Sequence, residues 1–189
     1  INWYQDCEAL FFFLFGEDKL TTVCKIFAAT SINTSMKANI TLFRKALYEI
    51  ENDLPIGAYM PNIKMQLEKI RAGGDLSGRK IRSFAAAMGG DTNAVVVDVW
   101  LMRAFEMEKK YFKKDAARGE GAFRNAGASD KTYTLIENYC RELAVAKKLE
   151  PRQISAMLWA GTRIHHTGDK ETHYKDLLRN KIINLFNVI

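Results

Sequence analysis

The stretch GGDLSGRKIRSFAAAMGGDTNAVVVDVWLMRAF, residues 73–105, decides the fold. The glycine pair at its start is typical of the end of a helix, because glycine readily adopts the left-handed conformation that closes one. The short turn that follows, residues 75–78, leads into a second helix that we expect to begin near Arg79. A second glycine pair, Gly89-Gly90, should end that helix. The sequence therefore predicts two helices joined by a tight, glycine-containing turn.

After this pair of helices in the sequence, three valines precede a single carboxylate, that of Asp98. The run Val95-Val96-Val97 is β-branched and would favour a strand, but the sequence offers no partner strand. We therefore predict a buried segment leading into a helix from Asp98 to Lys114. A carboxylate with apolar neighbours on both sides is costly unless it is exposed, caps a helix or has a function.

The other segments have helical periodicity as well. Helices are predicted over residues 3–15, 18–28, 33–50, 61–72, 130–148, 151–166 and 171–188. Asn33 is the expected N-cap of the third, since Asn is a favoured capping residue. Residues 116–129 are rich in small residues and are expected to form a loop. The predicted class is all-α.

Composition excludes several classes of protein. The chain has 189 residues, a formal net charge of +6 and 48% hydrophobic residues, which argues against disorder. Its cysteines, Cys7, Cys24 and Cys140, are far apart, so we expect reduced thiols, two of them in the core. The apolar run Ala9–Phe15 is too short to span a bilayer, and its acidic neighbours argue against a signal peptide. A cytoplasmic protein is expected.

Residues 73–105 resemble the helix-hairpin-helix DNA glycosylases, the superfamily of endonuclease III and 8-oxoguanine glycosylase. The resemblance rests on Gly78-Arg79-Lys80, on the separation of 18 positions from Lys80 to Asp98, and on Arg103 five positions later. It implies a two-lobed helical fold in which residues 1–189 form a single glycosylase-like unit. The hairpin and the catalytic helix would lie within residues 61–114, and residues 1–60 and 130–189 would complete the lobes.

The resemblance also implies roles for individual residues. In the superfamily the hairpin grips a DNA phosphate through backbone amides, the Lys is the nucleophile of lyase-competent members, and the Asp is the shared catalytic carboxylate. Carried over to this sequence, the catalytic residues are Asp98 and Lys80. The residues expected to bind DNA are Leu76, Ser77, Gly78, Arg79 and Arg82.

A second similarity lies upstream, in a polar turn that in the superfamily reaches DNA near the extruded base. Here Thr30, Ser31 and Asn33 are the candidates for contacting the base pocket or filling the gap in the duplex. The sequence departs from the superfamily at two places. In the polar turn, Thr30 stands where a Gln is common. In the hairpin, Leu76-Ser77-Gly78 keeps only the second of the two glycines.

Lys80 and Asp98 suit base excision chemically. Breaking the N-glycosidic bond develops positive charge on the sugar, which a fixed carboxylate stabilises. An amine can then attack C1′ if it is neutral often enough, and we expect burial and the cationic neighbour Arg79 to favour that state of Lys80. Asp98 can equally be a plain N-cap, and Lys80 a phosphate contact or a surface residue.

Other candidates have simpler interpretations. Thr30, Ser31 and Asn33 can form just a turn and a cap, and we expect Trp100 and Trp159 to pack in the core. The basic run from Lys109 to Arg118 can track a phosphate backbone or be a solvated helix end. The histidines show no metal-ligand spacing, so no metal site is predicted. These residues are His165, His166 and His173.

The sequence thus predicts a DNA base-excision glycosylase, with or without abasic-site lyase activity, whose partner is double-stranded DNA. Two alternatives remain: a phage enzyme that modifies thymine bases on the same fold, and a non-catalytic DNA-binding module. We expect no membrane association, a monomer, and a place at the nucleoid or in a phage-infected cell. No cofactor is expected, because the four-cysteine iron–sulfur motif is absent, although a monovalent or divalent ion at the hairpin would be compatible.

Overall fold

The computed structural model describes residues 2–105 and 129–167. Within these ranges there are eight α-helices and no strand, which confirms the all-α class for this part of the chain. The helices are α1 (Trp3–Phe15), α2 (Glu17–Thr30), α3 (Met36–Glu51), α4 (Pro61–Arg71), α5 (Arg79–Met88), α6 (Val99–Ala104), α7 (Asp130–Lys147) and α8 (Pro151–Thr167).

Several predictions fall outside the described residues. These are the end of the helix that starts at Asp98, the basic run Lys109–Arg118, the loop up to residue 128, the helix over 171–188, and His173. None of the helices in the described ranges is long and apolar enough to cross a membrane.

The described residues fall into two compact units, an N-terminal unit of residues 2–91 and a C-terminal unit of residues 92–105 and 129–167. In the N-terminal unit, α2 contacts α1, α3, α4 and α5 and is therefore its central helix. Three phenylalanines meet around it: Phe27 lies 5.4 Å from Phe11 and 5.3 Å from Phe43, measured between ring centroids. All three are almost completely buried, so they form the centre of this core.

The predicted N-cap of α3 is wrong by two residues. Ser35, not Asn33, caps the helix, with its hydroxyl accepting the N–H of Ala38 at 3.3 Å. Asn33 instead adopts a left-handed backbone conformation, with φ of 55°, inside the preceding turn. Both roles suit Asn, because its short polar side chain favours caps and left-handed turn positions alike.

The C-terminal unit packs α6 and α7 against α8. Its buried core consists of Val95, Val97, Leu101, Met102, Tyr133, Ile136, Cys140, Ala144 and Ile154. The valine run is buried and lies in no strand, as the sequence predicts. Side chains take the place of a partner strand: the Ser155 hydroxyl accepts the N–H of Val96 at 3.1 Å. The Tyr133 hydroxyl accepts the N–H of Val97 at 3.2 Å and donates to the carbonyl of Val95 at 3.0 Å.

Removing either hydroxyl should destabilise the C-terminal unit. We expect Tyr133→Phe and Ser155→Ala each to lower the free energy of unfolding by about 1–3 kcal/mol, because each leaves a buried backbone N–H without an acceptor. Urea denaturation measures the loss. Tyr139→Phe is the matched control, since Tyr139 lies on the same helix as Tyr133 but is 53% exposed. Equal stability of Tyr133→Phe and Tyr139→Phe would contradict the role given to the Tyr133 hydroxyl.

The three cysteines are free thiols, and all are buried. Burial raises the pKa of Cys24 to about 12, with a smaller contribution from the negative charge of Glu8. Burial raises the pKa of Cys140 to about 12 as well, against the opposing charge of Arg141. The pKa of Cys7 is raised well above its usual value, again chiefly by burial. All three are therefore inert core residues, because the reactive form of cysteine is the thiolate.

Candidate functional site

Asp98 stands at the start of α6, and both of its carboxylate oxygens accept hydrogen bonds. Its Oδ1 accepts the backbone N–H groups of Trp100 at 2.9 Å and Leu101 at 3.1 Å, which makes Asp98 the N-cap of the helix. Its Oδ2 accepts the indole N–H of Trp159 at 2.9 Å. The side chain is half-buried. Three N–H donors thus hold the carboxylate in one orientation at the end of the buried valine run.

Two arginines accompany the tryptophans of this region. The guanidinium carbon of Arg103 lies 4.5 Å from the Trp100 ring centroid, and that of Arg163 lies 5.2 Å from the Trp159 ring centroid. All four side chains are half-buried. Trp159 also packs against the core of the C-terminal unit, as the sequence predicts. The site around Asp98 therefore combines one carboxylate with two indole rings, and an arginine guanidinium lies over each ring.

The turn before α5 is tied down by α4. Gln66, which is 2% exposed, accepts the backbone N–H of Ser77 at 2.8 Å and donates to its carbonyl at 3.3 Å. Lys69 donates to the Ser77 hydroxyl. Leu76 buries its side chain in the core of the N-terminal unit. The backbone amides of Ser77 and Leu76 are therefore already bonded within the protein, that of Ser77 to Gln66 and that of Leu76 to the Asp75 carboxylate.

The first residues of α5 are the part of the predicted hairpin that could still bind a phosphate. Gly78 is the N-cap residue with φ of 96°, and as a glycine it has no side chain with which to cap the helix. Because the first amides of a helix point outward, the start of a helix is a general place for an anion to bind. Of the predicted hairpin, Leu76 to Arg79, the residues left as candidates for a phosphate contact are therefore Gly78 and Arg79.

Basic side chains surround this helix start. Lys80 and Arg82 are exposed, and Arg79 is half-buried. The pKa of Asp75 is lowered mainly by the hydrogen bond from Lys25, at 3.0 Å. The backbone N–H of Leu76 and the charges of Lys25 and Arg82 lower it further.

The expectation that burial would favour a nucleophilic Lys80 is wrong. Lys80 is exposed, so burial does not supply the desolvation that a nucleophilic lysine would need.

The polar turn after α2 does not present the three predicted residues together. Thr30 is completely buried, and its hydroxyl lies 2.6 Å from Oδ1 of Asn39 on α3, so it ties two helices together and cannot reach a base. Ser31 is half-buried and donates to the carbonyl of Ala28 at 2.7 Å. Asn33 is the one exposed member of the three. It lines an open cleft of about 240 Å³ with Ile32, Met60, Pro61 and Asn62.

The two predicted catalytic residues lie in different units. Lys80 belongs to the N-terminal unit and Asp98 to the C-terminal unit, and their approach to one another stays a prediction. Trp159 was missed as a site residue because it is 61 positions from Asp98 and nothing in the sequence links the two. In residues 2–105 and 129–167, no three His, Cys, Asp or Glu side chains are placed to share a metal ion.

Comparison with known proteins identifies a family. No curated protein and no solved structure matches the chain. Residues 1–166 match the model of DUF7178, described as a family of unknown function. The matched range contains the N-terminal unit, the C-terminal unit up to residue 166, and every residue discussed around Lys80, Asp98 and Trp159. The chain therefore belongs to the DUF7178 family.

Proposed function

We propose that this chain acts on a base of DNA as a glycosylase, with Asp98 as the catalytic carboxylate. The proposal rests on the hydrogen bonds to Asp98: three N–H donors fix its half-buried carboxylate at the start of a helix. A group fixed before the reaction stabilises developing charge without a cost of reorganisation. The resemblance of residues 73–105 to the helix-hairpin-helix glycosylases supports the same assignment.

The chemistry follows from the charge that the reaction creates. An enzyme acting on a base in a duplex must extrude the nucleotide into its site, at a cost of a few kcal/mol. As the bond between C1′ and the base breaks, the bonding electrons leave with the base and positive charge develops on the sugar. The Asp98 carboxylate stabilises that charge. Water attack at C1′ then leaves an abasic site, whereas attack by an amine would leave a Schiff base.

The start of α5 is the proposed DNA contact. Its basic residues Arg79, Lys80 and Arg82 lie in the first turn of the helix, an arrangement that suits a phosphate group. Since Lys80 is exposed, we assign it first to the phosphate backbone and only second to nucleophilic attack.

The test is a base-excision assay on end-labelled duplexes, each carrying one damaged or modified base, followed by alkaline cleavage. Cleavage at the position of one or more modified bases is the expected result. An intact duplex with every substrate, together with DNA binding, would overturn the assignment as a glycosylase. Borohydride added during the reaction traps a covalent complex only if an amine such as that of Lys80 attacks C1′.

A non-catalytic DNA-binding module is the second candidate, and one observation favours it. The protein itself supplies hydrogen bonds to both oxygens of Asp98, which is what a purely structural N-cap would show. This candidate predicts DNA binding that weakens with salt and no change in the DNA itself.

Both candidates share one prediction about Lys80. Affinity for DNA falls as salt rises, so log affinity against log salt concentration has a negative slope. Substituting Lys80→Ala should make that slope less negative by about 0.9, because one phosphate contact and its released counterion are lost. Fluorescence anisotropy with a labelled duplex at several salt concentrations measures that slope.

The matched control for Lys80 is Lys64→Ala. Lys64 lies in the same unit and pairs with Glu68 at 3.8 Å, so its removal should leave the slope unchanged. If both substitutions make the slope less negative equally, the contact is diffuse and does not belong to the start of α5.

A further inference from the structure

We propose that Trp159 is the positioning residue of the catalytic carboxylate: its indole N–H fixes the plane of Asp98. This inference rests on the proposed function of Asp98. It assigns a role in the reaction to α8, a helix that carries none of the residues matched to the glycosylases.

The capping bonds alone leave the carboxylate plane free. Both capping N–H groups, those of Trp100 and Leu101, bind the same oxygen, Oδ1. The terminal torsion of an aspartate is soft and broad, so one anchored oxygen still permits the other to swing. The indole of Trp159 binds that other oxygen, Oδ2, at 2.9 Å. With both oxygens held, the plane of the carboxylate is fixed.

The same face of α8 holds the backbone next to Asp98. Ser155 and Trp159 are four residues apart on this helix and so lie on one face, a turn from each other. Ser155 accepts the N–H of Val96, and Trp159 donates to the side chain of Asp98. One face of α8 therefore fixes both the backbone that delivers Asp98 and the carboxylate itself.

The ring of Trp159 is itself well held. It packs against the core of the C-terminal unit, and Arg163, one turn further along α8, places its guanidinium carbon 5.2 Å from the ring centroid. A rigid donor transmits its orientation to the acceptor, which is the property required of a positioning residue.

The test removes the indole N–H of Trp159, with the ring replaced in one variant and its shape kept in the other. The wild-type chain is compared with Trp159→Phe and with a chain carrying at position 159 the benzothiophene analogue of tryptophan, in which sulfur replaces the ring N–H. We expect kcat for base excision to fall about tenfold to a hundredfold, with KM nearly unchanged, because a misplaced reacting group costs rate more than binding. The analogue keeps the shape of the ring, so it remains informative if Trp159→Phe fails to fold.

Trp3 provides the matched control. Its indole nitrogen is buried without a hydrogen-bond partner among the described residues, so the same analogue at position 3 removes no hydrogen bond. It should excise at the wild-type rate. A second readout is the NMR resonance of the Trp159 indole N–H, which should move when Asp98→Asn is introduced.

The outcomes separate the two proposals. Wild-type excision with an unchanged kcat in the position-159 analogue overturns the positioning role and leaves the proposed function standing. A wild-type chain that excises no base overturns the proposed function and this inference with it, whatever the indole resonance does. A reduced kcat at position 159 alone, with the position-3 analogue unaffected, supports both.

Discussion

Asp98→Asn is expected to abolish base excision while the chain remains folded. Asn is as good an N-cap as Asp, so α6 keeps its cap. The substitution removes the negative charge that opposes the positive charge on the sugar, and we expect kcat to fall by about 10²–10³-fold or more. Single-turnover excision measures the rate, and thermal denaturation measures the fold.

The stability of this variant carries information of its own. Asn has one acceptor oxygen in place of two, so it can serve either the capping amides or the Trp159 indole. We therefore expect a loss of up to about 1 kcal/mol in the free energy of unfolding. Asp53→Asn is the matched control, because Asp53 is an exposed carboxylate outside the site, paired with Arg71 at 2.8 Å. Full excision activity in Asp98→Asn would leave Asp98 a structural cap and nothing more.

Phe27→Ala should destabilise the N-terminal unit more than Tyr133→Phe or Ser155→Ala destabilises the C-terminal unit. Phe27 is completely buried on the central helix, and its ring meets Phe11, Phe43 and Phe84. Removing a fully buried phenylalanine costs about 3–5 kcal/mol, from lost burial together with the cavity that remains. Because domains are stable by only about 5–15 kcal/mol, this variant should unfold at markedly lower urea concentration.

The control for this prediction is Phe13→Ala on α1. Phe13 is 80% exposed, and the same change there should alter the free energy of unfolding by less than about 0.5 kcal/mol. If Phe13→Ala were as destabilising as Phe27→Ala, the core around α2 would not be organised as described.

Local signals in the sequence were sufficient for most helix boundaries. Pro61 begins α4 and Arg79 begins α5, as predicted from a proline suited to the first turn and from the glycine that precedes Arg79. The buried valine run also follows from the sequence, since a β-branched segment without a partner strand must bury its side chains elsewhere. What the sequence could not give is how its backbone is satisfied, because Tyr133 and Ser155 lie far along the chain.

The candidate site was only partly predictable for the same reason. Asp98 could be found, because an isolated carboxylate between valines is conspicuous in the sequence. Trp159 could not, because its bond to Asp98 exists only through the packing of α8 against α6. The burial of Thr30 was missed because a polar turn does not reveal that Asn39 offers its hydroxyl a buried acceptor.

The central claim, that this chain excises a DNA base through Asp98, is tested most directly by mass spectrometry of the products. Wild-type protein and Asp98→Asn are each incubated with duplex DNA that carries damaged and modified bases. We predict a free base, matched by abasic sites in the DNA, with the wild type and neither product with Asp98→Asn. A new modified nucleoside without a free base, or unchanged DNA with both proteins, would contradict the claim.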